Sequence, residues 1–476
     1  LVQAKTFKVH VQNSTIPDYP PIFYFGKKSE GRWLNTENRP VVSYQRQPDL
    51  VWYSVFASNG WTASNNAGNS KYTFKYHYLA NKKYYDKLQP GQITNSILGQ
   101  SHFDKDMLAY HIRRKQRNSS IDYNIIPKSY VFPDEKILIK KRMNGSNWFI
   151  AKDTYGSMGY GIKLTNKYSD IPADKYQIVQ EYLQNPLTVR GHKFDMRVYL
   201  LITSIDPLVA YVYNEGYGKL AADKYQHPSK STKSSRHLTN FAQSTKKTKG
   251  CEIEFNLENF ISFKQLFGYI FKNQQQFDKD VERFTDYKLF KLHYQTKLQL
   301  LFQKMLAALY PELLKTAKGT HIYDFPRKLY ARYGADVMWL RNGEFKLIEV
   351  NRRPQQNTVC KSQKMIAPQL LQEELNIVGI PAIVENGRFV VPQHGKNNPG
   401  LQNENLTKQF SSSLDVLQQS GFELQDENLT DYEKRVVAQI TDEASRLRRF
   451  QRIFPLHDRA LMEDMNATYL NSRTLR

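Results

Sequence analysis

The sequence is poor in cysteine, lacks long apolar runs and has a deficit of acidic residues. It holds 2 cysteines, Cys251 and Cys360, among 476 residues. Two cysteines cannot form the disulfide framework of a small secreted domain, so a reducing compartment fits this chain. No apolar run of roughly 18 residues occurs, so we expect no membrane span. The chain begins with Leu1 rather than Met, so we expect upstream sequence that could carry a targeting signal.

The deficit of acidic residues makes the chain strongly basic. Lys and Arg number 68 against 45 Asp and Glu, which gives a formal net charge of +23. Such a surface attracts nucleic acid, anionic membranes or acidic protein tails. No zinc-finger, RNA-recognition or helix-turn-helix motif accompanies the charge, so nucleic acid is not the predicted partner. A hydrophobic content of 40% indicates a folded chain with two or three domains.

Periodicity and turn signals divide the chain into segments and elements. We predict domains over 1–125, 126–190 and 191–360, and an extension with a basic helix over 361–476. The predicted elements are a buried strand over 52–56, helices over 103–116 and 284–314, a mobile insertion over 229–250 and a charged amphipathic helix over 430–453. The apolar positions of the long helix are Leu289, Leu292, Leu298, Leu301, Met305 and Leu309.

Residues 334–351 predict a β-hairpin. Asn-Gly at 342–343 is a strong turn signal between two apolar runs. Counting outward from a two-residue loop, or from a four-residue loop over the same positions, places Asp336 directly opposite Glu349. Register alone therefore predicts that two carboxylates face each other.

Two facing carboxylates repel unless a cation lies between them. Strand alternation places Asn351 on the same face as Glu349. Because Mg²⁺ prefers oxygen ligands, Asp336, Glu349 and Asn351 are candidate metal ligands, although an exposed acidic hairpin edge gives the same pattern. The side chains predicted to wall this face are Met338, Leu340, Phe345 and Leu347.

A strand-end lysine followed by glycines predicts a phosphate-binding flap. The strand over 148–152 ends on Lys152, and another strand covers 161–164. Glycines in between allow backbone N–H groups to approach phosphate oxygens while the lysine neutralises charge. The loop joins two strands, so it is not a Walker loop, which would open a helix. Glycine-rich turns are also common without any ligand.

Two further strands carry groups that suit a nucleotide. The strand over 177–182 ends near Asn185, and its backbone can hydrogen-bond an adenine edge. In the next strand Lys193, Asp195 and Arg197 share one face by alternation, and three such charges can bind a ribose and phosphates. A half-buried strand with one solvated face is the alternative interpretation of this segment.

Taken in this order, the motifs resemble the tubulin tyrosine ligase-like family, whose members have an ATP-grasp fold. The resemblance covers roughly 85–455. Its matching segments are 103–108, 148–152 with the glycine loop 156–161, 179–186, 193–199, 237–240, 349–351 and 449–455. The resemblance implies an α+β fold with an N-terminal domain and with ATP held between the central and C-terminal ATP-grasp domains.

The resemblance also implies a function and a role for each matched residue. It implies ATP and Mg²⁺ as cofactors, and ligation of an amino acid, most often glutamate, onto acidic tubulin tails through an acyl phosphate. The implied cofactor-binding residues are Lys152, Ser157, Gly159, Gly161, Gln180, Glu181, Tyr182, Leu183, Lys193 and Asp195. The implied catalytic residues are Arg197, Lys219 and Asn240, and the implied metal ligands are Asp336, Glu349 and Asn351.

Three positions depart from the family pattern. Lys219 stands where members commonly have Arg, Asp153 replaces a Pro after the flap lysine, and Arg353 replaces a small Ser beyond the metal ligands. A catalytically inactive subunit of a larger assembly is therefore the alternative. Glycine is the rival donor, because residues 333–336 resemble the glycylase pattern. The implied location is cytoplasm, cytoskeleton or cilium, with the mitochondrion as an alternative because the chain is basic.

Overall fold

A computed structural model shows how these segments are arranged. It describes residues 7–16, 19–26, 32–36, 40–44, 49–64, 74–76, 93–154, 156, 161–172, 175–206, 208–240, 250–317, 329–356, 358–382, 384–385, 388–389, 431–454, 460–461 and 464–465. Helices and strands mix in an α+β arrangement, as predicted. Among these residues, none of the helices has the length and apolar character that crossing a membrane requires.

The N-terminal part forms two small sheets beside a helix. Its elements are β1 (Phe7–Gln12), β2 (Ile22–Phe23), β3 (Arg32–Thr36), β4 (Val41–Tyr44), α1 (Leu50–Ser58), β5 (Thr62–Ser64), β6 (Phe74–Tyr76) and β7 (Ile93–Thr94). The first sheet is antiparallel with the order β2-β1-β3, and the second is parallel with the order β5-β4-β6-β7.

The strand predicted over 52–56 is wrong, because these residues lie in α1. Val51, Trp52, Val55 and Phe56 are buried. Buried positions at i, i+1, i+4 and i+5 form one face of a helix, whereas a half-buried strand would alternate. The aromatic and β-branched composition therefore reflects burial rather than extended backbone.

A small antiparallel sheet carries the predicted flap. Its elements and the helix before it are α2 (Lys105–Arg117), β8 (Ser129–Phe132), α3 (Lys136–Arg142), β9 (Phe149–Asp153), β10 (Lys163–Thr165) and β11 (Gln177–Glu181). The strand order is β10-β9-β11-β8, and α3 packs on this sheet through the buried Ile139. The helix predicted over 103–116 and all three predicted strands of this region are confirmed within two residues.

A seven-stranded sheet forms the centre of the molecule. Its strands are β12 (Thr188–Val189), β13 (His192–Ile205), β14 (Leu208–Leu220), β17 (Phe260–Ser262), β18 (Ala331–Trp339), β19 (Phe345–Asn351) and β22 (Phe450–Phe454). The remaining elements are α4 (Ser234–His237), β15 (Glu252–Glu254), β16 (Leu257–Glu258), α5 (Phe263–Lys272), α6 (Tyr287–Ala317), α7 (Lys361–Val378), β20 (Val384–Glu385), β21 (Arg388–Phe389) and α8 (Asp431–Ala444). The main order is β17-β14-β13-β18-β19, all antiparallel.

Each face of this sheet packs against a different core. Met196 and Val198 of β13 pack with α5 and α6 on one face. Tyr199 and Leu201 pack with α1, α7 and α8 on the other. The alternation predicted for β13 is therefore confirmed, and it leaves Arg197 on the same face as Tyr199.

The long helix forms close to its predicted position, but two of the apolar positions given for it do not lie in the core. Leu289 and Leu292 are each 59% exposed, whereas Leu298, Leu301, Met305 and Leu309 are buried. The core-facing positions of the first turns belong to the buried aromatic residues Phe290 and Tyr294. These two continue the spacing of three or four residues that leads to Leu298, so the first two leucines lie on another face.

The hairpin is confirmed, although its turn differs from the prediction. Leu340 donates its backbone N–H to the carbonyl of Glu344, which makes a three-residue loop over 341–343. This loop shifts the strand pairing next to the turn by one residue from the predicted register. A β-bulge between Asp336 and Val337 shifts the pairing back to the predicted register. Asp336 therefore lies opposite Glu349, as predicted.

The bulge also changes which residues can wall the site. Phe345 and Leu347 pair with Trp339 and Val337 and belong to the opposite core, so their predicted position beside the carboxylates is wrong. Ile348, the extra residue of the bulge, lines the site beside Met338 instead.

The C-terminal extension differs from its prediction in two ways. The helix ends at Ala444, and residues 450–454 form β22, which pairs with β14. The helix is not basic: it has two cations, Lys434 and Arg435, against four acids. One of these acids, Glu443, accepts hydrogen bonds from Thr203 and Tyr211 at 2.9 and 2.6 Å, which fixes α8 on the sheet.

The two cysteines form a disulfide, which the expectation of a reducing compartment did not include. Their Cα atoms lie 5.6 Å apart although 109 positions separate them in sequence. Cys360 is the N-cap of α7, and Cys251 directly precedes β15. A count of two cysteines cannot reveal that the fold brings them together.

We predict that reduction of this disulfide destabilises the fold. A cross-link over so long a loop restricts the unfolded chain, so reduction should lower the free energy of unfolding by about 2–4 kcal/mol. Urea unfolding with and without dithiothreitol measures the difference. The double variant Cys251→Ser with Cys360→Ser should not respond to the reductant. Equal midpoints for oxidised and reduced wild-type protein would contradict this expectation.

Candidate active site

A cavity of about 710 Å³ lies between the flap sheet and the seven-stranded sheet. It brings together residues from β9, β11, β13, β14, β18, β19 and the segment after α4. The predicted residues that line it are Lys152, Gln180, Glu181, Tyr182, Leu183, Lys193, Asp195, Arg197, Lys219, Asn240, Asp336, Glu349 and Asn351. Gly161 is exposed and is not part of the lining. Ser157 and Gly159 lie outside the described residues.

A buried carboxylate between two cations stands at the centre of the cavity. Arg197 holds Asp336 through both side-chain oxygens, with Nε–Oδ1 at 2.6 Å and Nη2–Oδ2 at 3.2 Å. Lys219 donates to Oδ2 at 2.6 Å. Burial alone would raise the pKa of Asp336, but Arg197 and Lys219 hold that pKa well below its usual range. The carboxylate is therefore ionised across the whole pH range in which the protein could function.

The second carboxylate lies across the hairpin from the first. Glu349 is 3.7 Å from the Lys105 ammonium, and the Asn351 amide approaches its Oε1 at 3.5 Å. No three His, Cys, Asp or Glu side chains cluster as a metal site within the described ranges. Two carboxylates and an amide still fit Mg²⁺, which usually binds one or two carboxylates and completes its shell with water and phosphate.

Buried lysines mark the part of the cavity that suits phosphate. Lys152 on β9 donates to Oε1 of Gln180 on β11 at 2.8 Å. Burial lowers the pKa of Lys152 to about 8, and neighbouring Lys105 and Lys193 lower it while Glu349 raises it. Such a lysine gains most from a bound anion, so the site fits a phosphate chain.

The segment after α4 closes the cavity on another side. The backbone carbonyl of His237 accepts from Lys193 at 2.8 Å, and its ring nitrogen Nδ1 bonds the Tyr182 hydroxyl at 2.8 Å. The segment 229–250 was predicted to be a mobile surface insertion, and the surface position is wrong for residues 237–239, which are buried. Residues 241–249 lie outside the described part of the chain.

One buried acceptor in this part is suited to a ligand hydroxyl. Thr239 donates to Oδ2 of Asp195 at 2.5 Å. Oδ1 of the same carboxylate is buried and has no hydrogen-bond partner in the part of the chain that the structure describes. Buried carboxylate oxygens are rarely left unbonded, so a sugar hydroxyl fits here.

The sequence motifs missed several residues that the fold brings to the cavity. Lys105 donates to the carbonyl of Gly156 in the flap at 3.1 Å and so connects the flap with Glu349. The segment 103–108 resembles the family, but the resemblance implied no role for Lys105. Further lining residues without a sequence signal are Ile150, Tyr199, Tyr217, Phe260, Ile348, Gln355, Gln356 and Gln363, whereas Met338 lines the cavity as predicted.

The three departures from the family pattern all lie at this cavity. Lys219 reaches Asp336 as a single donor, whereas Arg197 makes a bidentate contact. Asp153 and Arg353 both line the cavity. Arg353 follows Asn351 by two residues and thus adds positive charge beside the candidate metal ligands.

The chain is similar in sequence to a known protein family and to several curated proteins. The sequence model of the tubulin-tyrosine ligase family matches residues 87–386. The chain is 26% identical over 385 residues to the tubulin polyglutamylase TTLL7 of Mus musculus, covering 75% of this chain and 40% of that protein. It is 29% identical over 377 residues to the tubulin polyglutamylase TTLL7 of Xenopus tropicalis, covering 75% of this chain and 40% of that protein.

A third relative is matched along nearly the whole chain. The tubulin monoglutamylase TTLL4 of Homo sapiens is 24% identical over 479 residues, which covers 93% of this chain and 38% of the relative. This chain therefore spans about two fifths of the length of the curated relatives it matches.

We predict that the binding of an ATP analogue weakens as the pH rises through about 8. The free Lys152 ammonium loses its proton near that pH, whereas bound phosphates would retain it. Above about pH 8 the affinity should fall by up to about tenfold per pH unit. Calorimetric titration at pH 7, 8 and 9 measures this.

Lys152→Met should bind weakly and lose most of that pH dependence. Lys167→Met, at an exposed position beyond the flap strand β10, is the matched control and should behave like wild type. An affinity that is the same at pH 7 and pH 9 in the wild type would count against a phosphate-binding Lys152.

Proposed function

Because this chain belongs to the tubulin-tyrosine ligase family, we propose that it joins glutamate to acidic tubulin tails in a reaction driven by ATP. The relatives named above are a polyglutamylase and a monoglutamylase of tubulin. The net charge of +23 is complementary to an acidic acceptor. We further propose that the protein acts at microtubules, in the cytoskeleton or the cilium.

The observation that carries this proposal is the set of side chains that share one cavity. Two carboxylates, two buried lysines and an arginine meet there: Asp336, Glu349, Lys152, Lys193 and Arg197. Anion-binding lysines beside oxygen ligands for a divalent cation are what the transfer of a phosphoryl group requires. An exposed acidic hairpin edge would not place Asp336 in a buried cavity.

The reaction has two chemical steps. An acceptor carboxylate oxygen attacks the γ-phosphorus of ATP, and the bond to the bridging oxygen breaks, which gives an acyl phosphate and ADP. The α-amine of the incoming glutamate then attacks the acyl carbon. Phosphate leaves, and the amine loses a proton as the amide forms.

We assign the roles of this chain's residues accordingly. Lys152 and Lys193 hold phosphates, the strand end over 180–183 receives adenine, and Asp195 accepts from the ribose. Arg197, Lys219 and Asn240 face the reacting groups.

We assign the binding of the metal ion to the hairpin of β18 and β19. Asp336, Glu349 and Asn351 would hold Mg²⁺, which when bound screens the charge of the phosphates. A bound ion would share Asp336 with Arg197 and Lys219, and Glu349 and the phosphates would supply the further negative charge that these cations need.

The direct test is amino-acid incorporation. Incubation with tubulin, Mg-ATP and labelled Glu, Gly or Tyr should label tubulin with glutamate. Glu349→Gln should lower the rate about 100-fold or more, because a charged group at the reacting phosphate is lost. Glu344→Gln, in the turn of the same hairpin and exposed, should retain the wild-type rate.

The other outcomes each have a meaning. Incorporation of glycine alone would reassign the donor. If no amino acid is incorporated where a known ligase works, the ligase proposal is wrong, and retained nucleotide binding would then point to a non-catalytic member of the family.

A further inference from the structure

The cavity extends beyond the residues assigned to nucleotide and metal. Its far wall comes from β14, β17, the loop before α7 and the first turn of α7. The lining residues there are Tyr217, Phe260, Gln356 and Gln363. Phe260 pairs with Lys219 in the sheet, so this wall begins directly beside the cation that holds Asp336.

Gln356 is the amide of this wall that finds no hydrogen-bond partner among the residues that the structure describes. Its side chain is 2% exposed, yet neither Nε2 nor Oε1 has a hydrogen-bond partner among the described residues. The backbone is fixed, because its N–H donates to Oδ2 of Asp49 at 2.7 Å. Gln363 differs, since its Oε1 accepts from the backbone N–H of Cys360 at 3.1 Å.

An unbonded buried amide indicates that something else binds it. Leaving such a group unsatisfied is destabilising, and roughly 90% or more of buried polar groups have a partner. Gln356 lines a cavity large enough for a ligand, so a bound molecule can supply the missing partners.

The chemistry of the wall narrows the class of ligand. A primary amide offers two N–H donors and one carbonyl acceptor. An α-amino acid offers the matching groups, a carboxylate that accepts and an amine that donates. The rings of Tyr217 and Phe260 suit its aliphatic part, and the nearby Lys219 suits a second carboxylate.

We propose that Gln356 binds the incoming amino acid of the ligation reaction. Its Nε2 donates to a carboxylate of that amino acid, and its Oε1 accepts from the α-amine. Bonding the amine through Oε1 orients the nucleophile toward the acyl carbon. This inference rests on the proposed function, which it deepens by naming a residue of the donor subsite.

Gln356→Met tests the proposal with little change of volume. It removes both polar groups, so the KM for glutamate should rise about tenfold or more, as the loss of a hydrogen-bonded group predicts. The KM for ATP should stay within about twofold and the unfolding temperature should not fall, because no hydrogen bond within the protein is lost. Gln275→Ala, at an exposed position, is the control and should leave both KM values unchanged.

A separate binding measurement distinguishes this proposal from the proposed function. Glutamate is titrated calorimetrically into wild type and Gln356→Met with a non-hydrolysable Mg-ATP analogue present. Weaker binding to the variant supports the subsite even if the wild type ligates nothing to tubulin. Equal affinities, or an equal rise of the KM values for ATP and glutamate, would overturn the subsite and leave the ligase proposal standing.

Discussion

The contact of buried Asp336 with Arg197 and Lys219 is the constraint on which the rest of the site depends. A buried lone carboxylate would be strongly destabilising, and so would either cation buried without that carboxylate. The three residues lie on the adjacent strands β18, β13 and β14, so the central sheet must form in register before they meet. The same sheet therefore provides both the core of the fold and the charges of the site.

Around that contact, distant segments meet through a few polar bonds. Lys105 connects the start of α2 with the flap and with Glu349, and Asp104 beside it pairs with Arg352 at 3.1 Å. The sheet that carries the flap is thus bonded to the hairpin of β18 and β19 through a helix that belongs to neither. Motion of the flap over a nucleotide would move Lys105 and so change its contact with Glu349.

Features of the site that depend on neighbouring residues in the sequence could be predicted from the sequence. The Asn-Gly turn and strand alternation predicted that Asp336 faces Glu349, and the pattern of β13 predicted its charged face. The predicted loop length was wrong by one residue, and a bulge compensated for it. A bulge depends on contacts of the folded sheet and has no signature of its own in the sequence.

The remaining differences arise because tertiary contacts decide which apolar residues are buried. Leu289 and Leu292 have helical spacing, but Phe290 and Tyr294 occupy the core positions. Residues 450–454 continue a helical pattern in sequence, yet β14 offers them an open edge. Gln356 and the disulfide partners have no pattern at all, because only the fold brings them to the places where they act.

The central claim is that Asp336, Glu349 and Asn351 form a magnesium site that serves a nucleotide. Titration of a non-hydrolysable ATP analogue, with Mg²⁺ and with chelator, tests it most directly. We expect Mg²⁺ to strengthen binding to wild type about tenfold or more, and we expect Glu349→Gln to lose most of this gain. Wild-type binding that is indifferent to Mg²⁺, or a full gain in the variant, would contradict it.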